Sequence, residues 1–182
     1  AGDGQIVGSD QQLGEIIDDR KPGLDATAPA FDDSHWQPAV VDSNIAVPLT
    51  PSVGPPVTVL TELKPAKINR FGDTFVVDFG QNMVGHVKLT ATGKAGTEIT
   101  VSHGEMLNAD GTIYNENLRQ AISIDKFVLK GNGPETMEPQ FTFHGFRYAQ
   151  ITGYPGDLNP DDIKAVVISS DCPTTGTFEC SN

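Results

Sequence analysis

Five carboxylates, Glu98, Glu105, Asp110, Glu116 and Asp125, fall within one stretch of alternating and turn-forming residues. Two such groups facing each other could act as general acid and as base or nucleophile across a scissile bond. Nothing in their spacing selects a pair, and solvated strand and turn carboxylates account for all five. No catalytic residue is therefore assigned. Asn108-Ala-Asp-Gly111 offers oxygen ligands around a glycine, as cation loops do, but the further acidic positions of a calcium loop are absent in register. It reads as a hairpin turn, and no metal ligand is assigned.

Aromatic rings can stack on the C–H faces of a sugar, and Trp36, Tyr114, Phe143, Phe146 and Tyr148 are the rings available. Core packing is the better reading for most of them, and Trp36 is the one left open. His103 shares a strand face with Ile99 and Val101, where a hydrogen-bonded core imidazole is commoner than a ligand. His144 lies between Phe143 and Gly145 without an evident role, and Arg147 is placed to pair with an acidic group. Cys172 and Cys180 read as isolated thiols rather than a hairpin disulfide, and there is no CxxC or Cys/His metal pattern.

These residues must be held by a scaffold that the 182-residue chain can build as one large domain, or as one domain with an appendage. A net charge of -12 excludes nucleic-acid and anionic-membrane partners, which need a basic surface. Neutral sugars remain compatible with it. No apolar run approaches the ~20 residues of a membrane span, and no signal-peptide pattern stands within the sequence.

Residues 1–47 are rich in Asp, Gly, Pro and Gln, and the stretch from Leu13 to Arg20 reads equally as a strand or a helical turn. Four prolines and a glycine between Pro48 and Pro56 make that segment a linker. Beyond it, period-two alternation predicts strands over 57–63, 67–71, 74–79, 84–92, 97–103, 122–130, 138–144, 146–153 and 162–170. Gly93-Lys-Ala-Gly96 is expected to join two of these as an antiparallel hairpin, and a bulge is expected between Ile124 and Phe127. Such segments bury their apolar faces by packing sheet on sheet. The predicted fold is thus an all-β antiparallel sandwich of jelly-roll, concanavalin-like type, with an irregular N-terminal appendage.

Five stretches carry a further signal: Phe31-Asp-Asp-Ser-His-Trp36, Asp78-Phe-Gly-Gln-Asn-Met-Val-Gly85, Gly104 through Arg119, Phe141-Thr-Phe-His-Gly-Phe-Arg-Tyr148 and Thr175-Gly-Thr-Phe-Glu-Cys-Ser-Asn182. Together they resemble the β-sandwich modules that precede the catalytic barrel in bacterial α-L-rhamnosidases of glycoside hydrolase family 78, from about Ser9 to Asn182. The resemblance implies that 1–47 is the tail of a preceding β-sandwich domain, that 57–182 is the concanavalin-like domain, and that acid and base reside in an (α/α)6 barrel following Asn182. It implies hydrolysis of terminal L-rhamnose with inversion by that barrel. Some family members carry rhamnose-binding modules that hold calcium through Asp-Asn ahead of Gly-Glu. At the matching place stands Gln12-Leu13-Gly14-Glu15, so Gln12, Glu15 and Trp36 are the implied sugar-binding candidates, while Leu13 cannot ligate an ion and no cofactor is expected.

The function expected is therefore a non-catalytic accessory domain of an α-L-rhamnosidase, supporting an intramolecular helical barrel and meeting a rhamnose-containing glycan only through the parent enzyme. The alternatives are a free-standing lectin-like carbohydrate-binding module and a structural jelly roll. An extracellular or periplasmic setting is favoured over a cytoplasmic one.

Overall fold

The computed structural model describes residues 4–23, 27–42 and 47–181; Asn182, the last residue of the terminal motif, lies outside them. In chain order the strands are β1 Ile6–Asp10, β2 Gly14–Asp18, β3 Val57–Leu63, β4 Lys67–Phe71, β5 Thr74–Thr92 and β6 Glu98–Gly104. They continue with β7 Met106–Leu107, β8 Ile113–Tyr114, β9 Ile124–Val128, β10 Pro134–Met137, β11 His144–Thr152 and β12 Ile163–Ser170. A single 3₁₀ turn, Glu116–Leu118, is the one helical element among the described residues.

Ten strands form one curled sheet ordered β1-β2-β9-β6-β11-β5-β12-β3, with β4 and β10 also hydrogen-bonded to β5. The curl follows from β5, whose 19 residues exceed what one flat layer accommodates. Its first part, up to Asp78, pairs with β4 and the end of β11, whereas Met83 to Thr92 pair with the start of β11, β12 and β10. Between them the register jumps, since Tyr148 faces Asp78 while Phe146 faces Met83. Asp78 stabilises this bulge by accepting from the Gly80 N–H at 2.7 Å and from Arg147 Nε and Nη2 at 2.8 and 2.9 Å. The acidic partner expected for Arg147 is thus Asp78, across the bend.

Curling brings both wings over a single core. Phe75, Val77, Phe79, Val87 and Leu89 of β5 meet Ile99 and Val101 of β6, Phe127 of β9, Ile151 of β11 and Ile163 of β12. These are the inward positions of the alternation, and the architecture is the β-sandwich predicted from it. The pairing is antiparallel except for β2, which runs parallel to β9.

Four local readings are corrected or resolved. Gly93–Gly96 does not close a hairpin, because β6 pairs with β9 and β11 rather than with β5. The link is instead stitched to the end of β9, with Gly96 N–H donating to Leu129 O at 2.8 Å, and a Cβ at Gly93 would come within 2.8 Å of the Leu129 side chain. No bulge interrupts β9, whose register with β6 is continuous; the residue that disturbs its apolar pattern is Asp125, which points inward with Phe127. Of the strand expected over 138–144, residues 138–143 are a loop, preceded by the short β10, where Pro139 withholds a ladder donor, and His144 begins β11. The ambiguous stretch from Leu13 is a strand, β2, and it is hydrogen-bonded into the sandwich sheet rather than standing apart from it. Pro48 to Pro56 is exposed and carries no strand.

The Asp78 carboxyl lies below its ordinary value of 3.8, chiefly through the hydrogen bond from Arg147, with burial opposing and the Gly80 N–H assisting. A carboxyl depressed by folding contributes stability that is complete above its unfolded value and is lost as pH falls through the folded one. Urea denaturation of wild type and Asp78→Asn should therefore differ most at neutral pH and converge below about pH 4. A gap between the two that is independent of pH would contradict this role.

Candidate functional site

The most chemically distinctive place in the molecule is a knot of buried polar side chains joining β2, β6, β9, β11 and the loop between β10 and β11. Asp125, Glu15, His103 and His144 are all buried, with relative exposures of 0, 0, 1 and 3%. Each occupies an inward position of its own strand, beside Phe127, Ile17, Val101 and Phe146 respectively. Ionised groups tolerate such positions only when hydrogen-bonded.

Asp125 Oδ1 accepts from the Glu15 backbone N–H at 2.8 Å and lies 3.4 Å from Thr142 Oγ1; His144 Nε2 sits 3.2 Å from each carboxylate oxygen. Glu15 in turn receives the N–H groups of Gln140 and Phe141 at 2.8 and 2.9 Å. Gly14 makes this approach possible. Its φ is +110°, and a Cβ there would stand 2.0 Å from the Ile124 carbonyl oxygen, so only glycine lets β2 come this close to β9.

His103 is stacked on His144 with ring centroids 4.2 Å apart, and its edge meets Phe146. Its Nδ1 lies 3.0 Å from the Ser123 carbonyl oxygen. Burial, seconded by the neighbouring His144, lowers its pKa to about 4, so the ring is neutral near pH 7. For Asp125, burial alone would raise the carboxyl, but the His144 hydrogen bond and the facing His103 hold it below the ordinary range.

The sugar-binding candidates are not brought together with a common open face. Glu15 is inside the fold with both oxygens receiving backbone donors. Gln12 is exposed in the β1–β2 turn, where its carbonyl accepts from Ile122 and Ser123. Trp36 is 56% exposed in a separate loop, edge-on to Phe31 at 5.4 Å. Of the other rings, Phe146 is core, whereas Phe143 is 44% exposed. Asp110 accepts from both the N–H and hydroxyl of Thr112, so Asn108–Gly111 closes the β7–β8 hairpin on its own groups. Cys172 and Cys180 are exposed and no disulfide joins them.

A polar groove of about 570 Å³ runs along Gln5, Asp19, Lys130, Glu135 and Gln140. Three carboxylates line it, Asp19, Glu135 and Glu138, and none of them was singled out by the sequence pattern. Asp19 is raised by burial and by Glu135, but Glu135 closes the turn after β9 by accepting from the N–H groups of Lys130 and Gly131, both at 2.8 Å. A carboxylate so engaged is a turn clamp, not a base free to act on substrate. Two apolar grooves lie at opposite ends of the strand order. One, of about 290 Å³, is lined by Leu13, Ile16, Ile122 and Ile124, and the other, of about 340 Å³, by Val57, Val84, Phe143 and Ile168. Val59 and Leu60 of the edge strand β3 are also exposed, at 59 and 70%.

A curled concanavalin-like sandwich with a sealed polar interior and apolar outer grooves is the class of protein that this geometry defines. Residues 69–169 match the model of the bacterial alpha-L-rhamnosidase concanavalin-like domain, and the chain belongs to that family. It is 42% identical over 181 residues to an alpha-L-rhamnosidase of Streptomyces avermitilis, and 34% identical over 189 residues to one of Formosa agariphila. Those alignments cover 98% of this chain but 18 and 19% of the relatives, so the chain spans less than a fifth of their length. Among solved structures, the Streptomyces avermitilis enzyme complexed with L-rhamnose superposes with a TM-score of 0.89 at 43% identity, over 98% of this chain and 18% of that one. The alpha-L-rhamnosidase of Dictyoglumus thermophilum gives 0.90 at 37% identity, over 98% of this chain and 20% of that one.

Removing the Glu15 carboxylate would deprive the Gln140 and Phe141 N–H groups of their acceptor, which costs on the order of 2–4 kcal/mol. Chemical denaturation should show Glu15→Ala destabilised by that amount and Trp36→Ala by less than about 1 kcal/mol. Equal losses for the two would mean that Glu15 does not tie β2 to the loop.

Proposed function

We propose that the chain serves as a non-catalytic accessory domain of an α-L-rhamnosidase, covering part of a helical catalytic barrel that performs the hydrolysis. The observation that carries this reading is the pair of exposed apolar grooves at the two ends of the sheet, on a chain that spans a fifth of its relatives. Contiguous apolar surface of this kind is covered in the complete protein. On this reading the groove at β3 and β12 faces the barrel, and the groove at β2 and β9 faces a preceding β-sandwich domain whose tail, residues 1–47, adds the strands β1 and β2 to this sheet. The domain meets a rhamnose-containing glycan only through the parent enzyme, whose acid and base the barrel supplies. Among the described residues, the buried carboxylates Glu15, Asp125 and Glu135 are engaged by backbone donors.

The purified 182-residue chain should accordingly release no L-rhamnose from an aryl rhamnoside. Measurable turnover that survives repurification would refute the reading. In the full-length enzyme, Leu60→Asp should lower the melting temperature and activity together, while leaving the isolated chain's stability nearly unchanged. A second reading, a lectin-like sugar-binding module, is favoured by the exposed ring of Trp36. Calorimetric titration with L-rhamnose separates the two: affinity lost in Trp36→Ala would support the module, and no heat would support the accessory domain.

A further inference from the structure

His103 Nε2 is the one buried side-chain nitrogen or oxygen without a hydrogen-bond partner among the described residues. Its position is more specific than a missing bond. The Ser123 carbonyl can only accept, so His103 must carry its proton on Nδ1 to satisfy that 3.0 Å contact. Nε2 then presents a lone pair, and what it faces, at 3.8 Å, is Asp125 Oδ2. Two acceptors confront each other inside the core, a costly arrangement unless something positive lies between them. On the other side of the same oxygen stands His144 Nε2 at 3.2 Å.

His103, Asp125 and His144 each offer one ligand atom, and these atoms lie within 4.8 Å of one another. Ligands held about 2.0–2.1 Å from a tetrahedral zinc ion are separated by roughly 3.4 Å, and the 3.2 and 3.8 Å separations bracket that value. The outer contacts have the form expected around a metal ligand set. The Ser123 carbonyl fixes the tautomer and ring orientation of His103, and Asp125 Oδ1 is held by the Glu15 N–H, leaving Oδ2 for the ion.

We propose that His103, Asp125 and His144 bind one divalent transition-metal ion of the zinc type, buried where β6, β9 and β11 meet. Two nitrogen donors and one oxygen suit Zn²⁺ or Co²⁺, whereas Ca²⁺ and Mg²⁺ require shells made largely of oxygen. Thr142 Oγ1, 3.4 Å from Asp125 Oδ1, or a water supplies a fourth ligand. The ion sits on the buried face of β9, opposite Ile124 and Lys126 of the apolar groove, and is structural, clamping three strands from the inside. It is independent of the accessory-domain reading.

The test uses the 182-residue chain, stripped with a chelator, loaded with Zn²⁺ or Co²⁺ and desalted. The expected result is one ion per chain by elemental analysis and visible d–d bands of four-coordinate Co²⁺. A rise in melting temperature of about 5 °C or more with Zn²⁺ at a hundredfold excess over its dissociation constant should accompany them. His103→Gln should weaken uptake by more than about tenfold and abolish the Co²⁺ bands. Because the metal count, the spectrum and the thermal shift are read on the unaltered chain, a variant that fails to fold does not void the experiment. Failure of the wild-type chain to retain a stoichiometric ion overturns the proposal, as does an ion retained by His103→Gln with an unchanged spectrum.

Discussion

A carboxylate removed from water loses hydration worth several kcal/mol, even after the surrounding protein relaxes, and the structure must return that stabilisation through directed hydrogen bonds. Asp125 and Glu15 impose this requirement on the whole sandwich. Neither can be buried until β2 lies against β9 and the 138–143 loop folds over them, because their donors are the Glu15, Gln140 and Phe141 N–H groups. Partners separated by 110 to 126 positions in sequence are thereby fixed at hydrogen-bond distance. Hydrophobic burial draws the sheet together without direction; the buried carboxylates specify which strand lies where.

That specification explains why β1 and β2 are part of the sandwich, although an exposed, Pro-rich segment separates them from the remainder. A parallel pairing of only three residue pairs, Ile16 with Lys126 through Asp18 with Val128, would be a weak attachment by itself. Gly14 removes the steric barrier to close approach, and Glu15 supplies the anchor. With the interior sealed in this way, two apolar grooves are left at the outer ends of the sheet. On the proposed reading, the rest of a longer protein covers those grooves.

Much of the fold was legible because alternation is a local signal. Val57 to Leu63, Thr97 to His103 and Asp162 to Ser170 were placed as strands almost where they lie. Partnership was less legible, since a glycine-containing link such as Gly93–Gly96 fits a hairpin and a crossing between layers equally well. The polar knot was missed for a related reason. Asp125 reads as a solvated strand carboxylate, and the switch of apolar face between Ile124 and Phe127 reads as a bulge, yet the parity of Asp125 with Phe127 and Leu129 already places it inside. The same parity argument assigned His103 correctly to the core and would have assigned His144, two residues before Phe146. Sequence supplies the face on which a polar residue sits; it does not supply the distant backbone donor that allows it to stay there. Glu15 is the sharpest example, because its neighbours pointed to a ligand-binding turn while its true partners lie 125 residues away.

The central claim, that buried carboxylates lock the N-terminal strand pair to the sandwich, is tested most directly by native-state hydrogen exchange. If the claim holds, the amide protons of Glu15, Gln140 and Phe141 exchange only through global unfolding, at the same free energy as those of β9 and β11. Exchange of these three through a local opening several kcal/mol below the global value, with β9 and β11 still protected, would show that the strand pair is merely resting on the sheet.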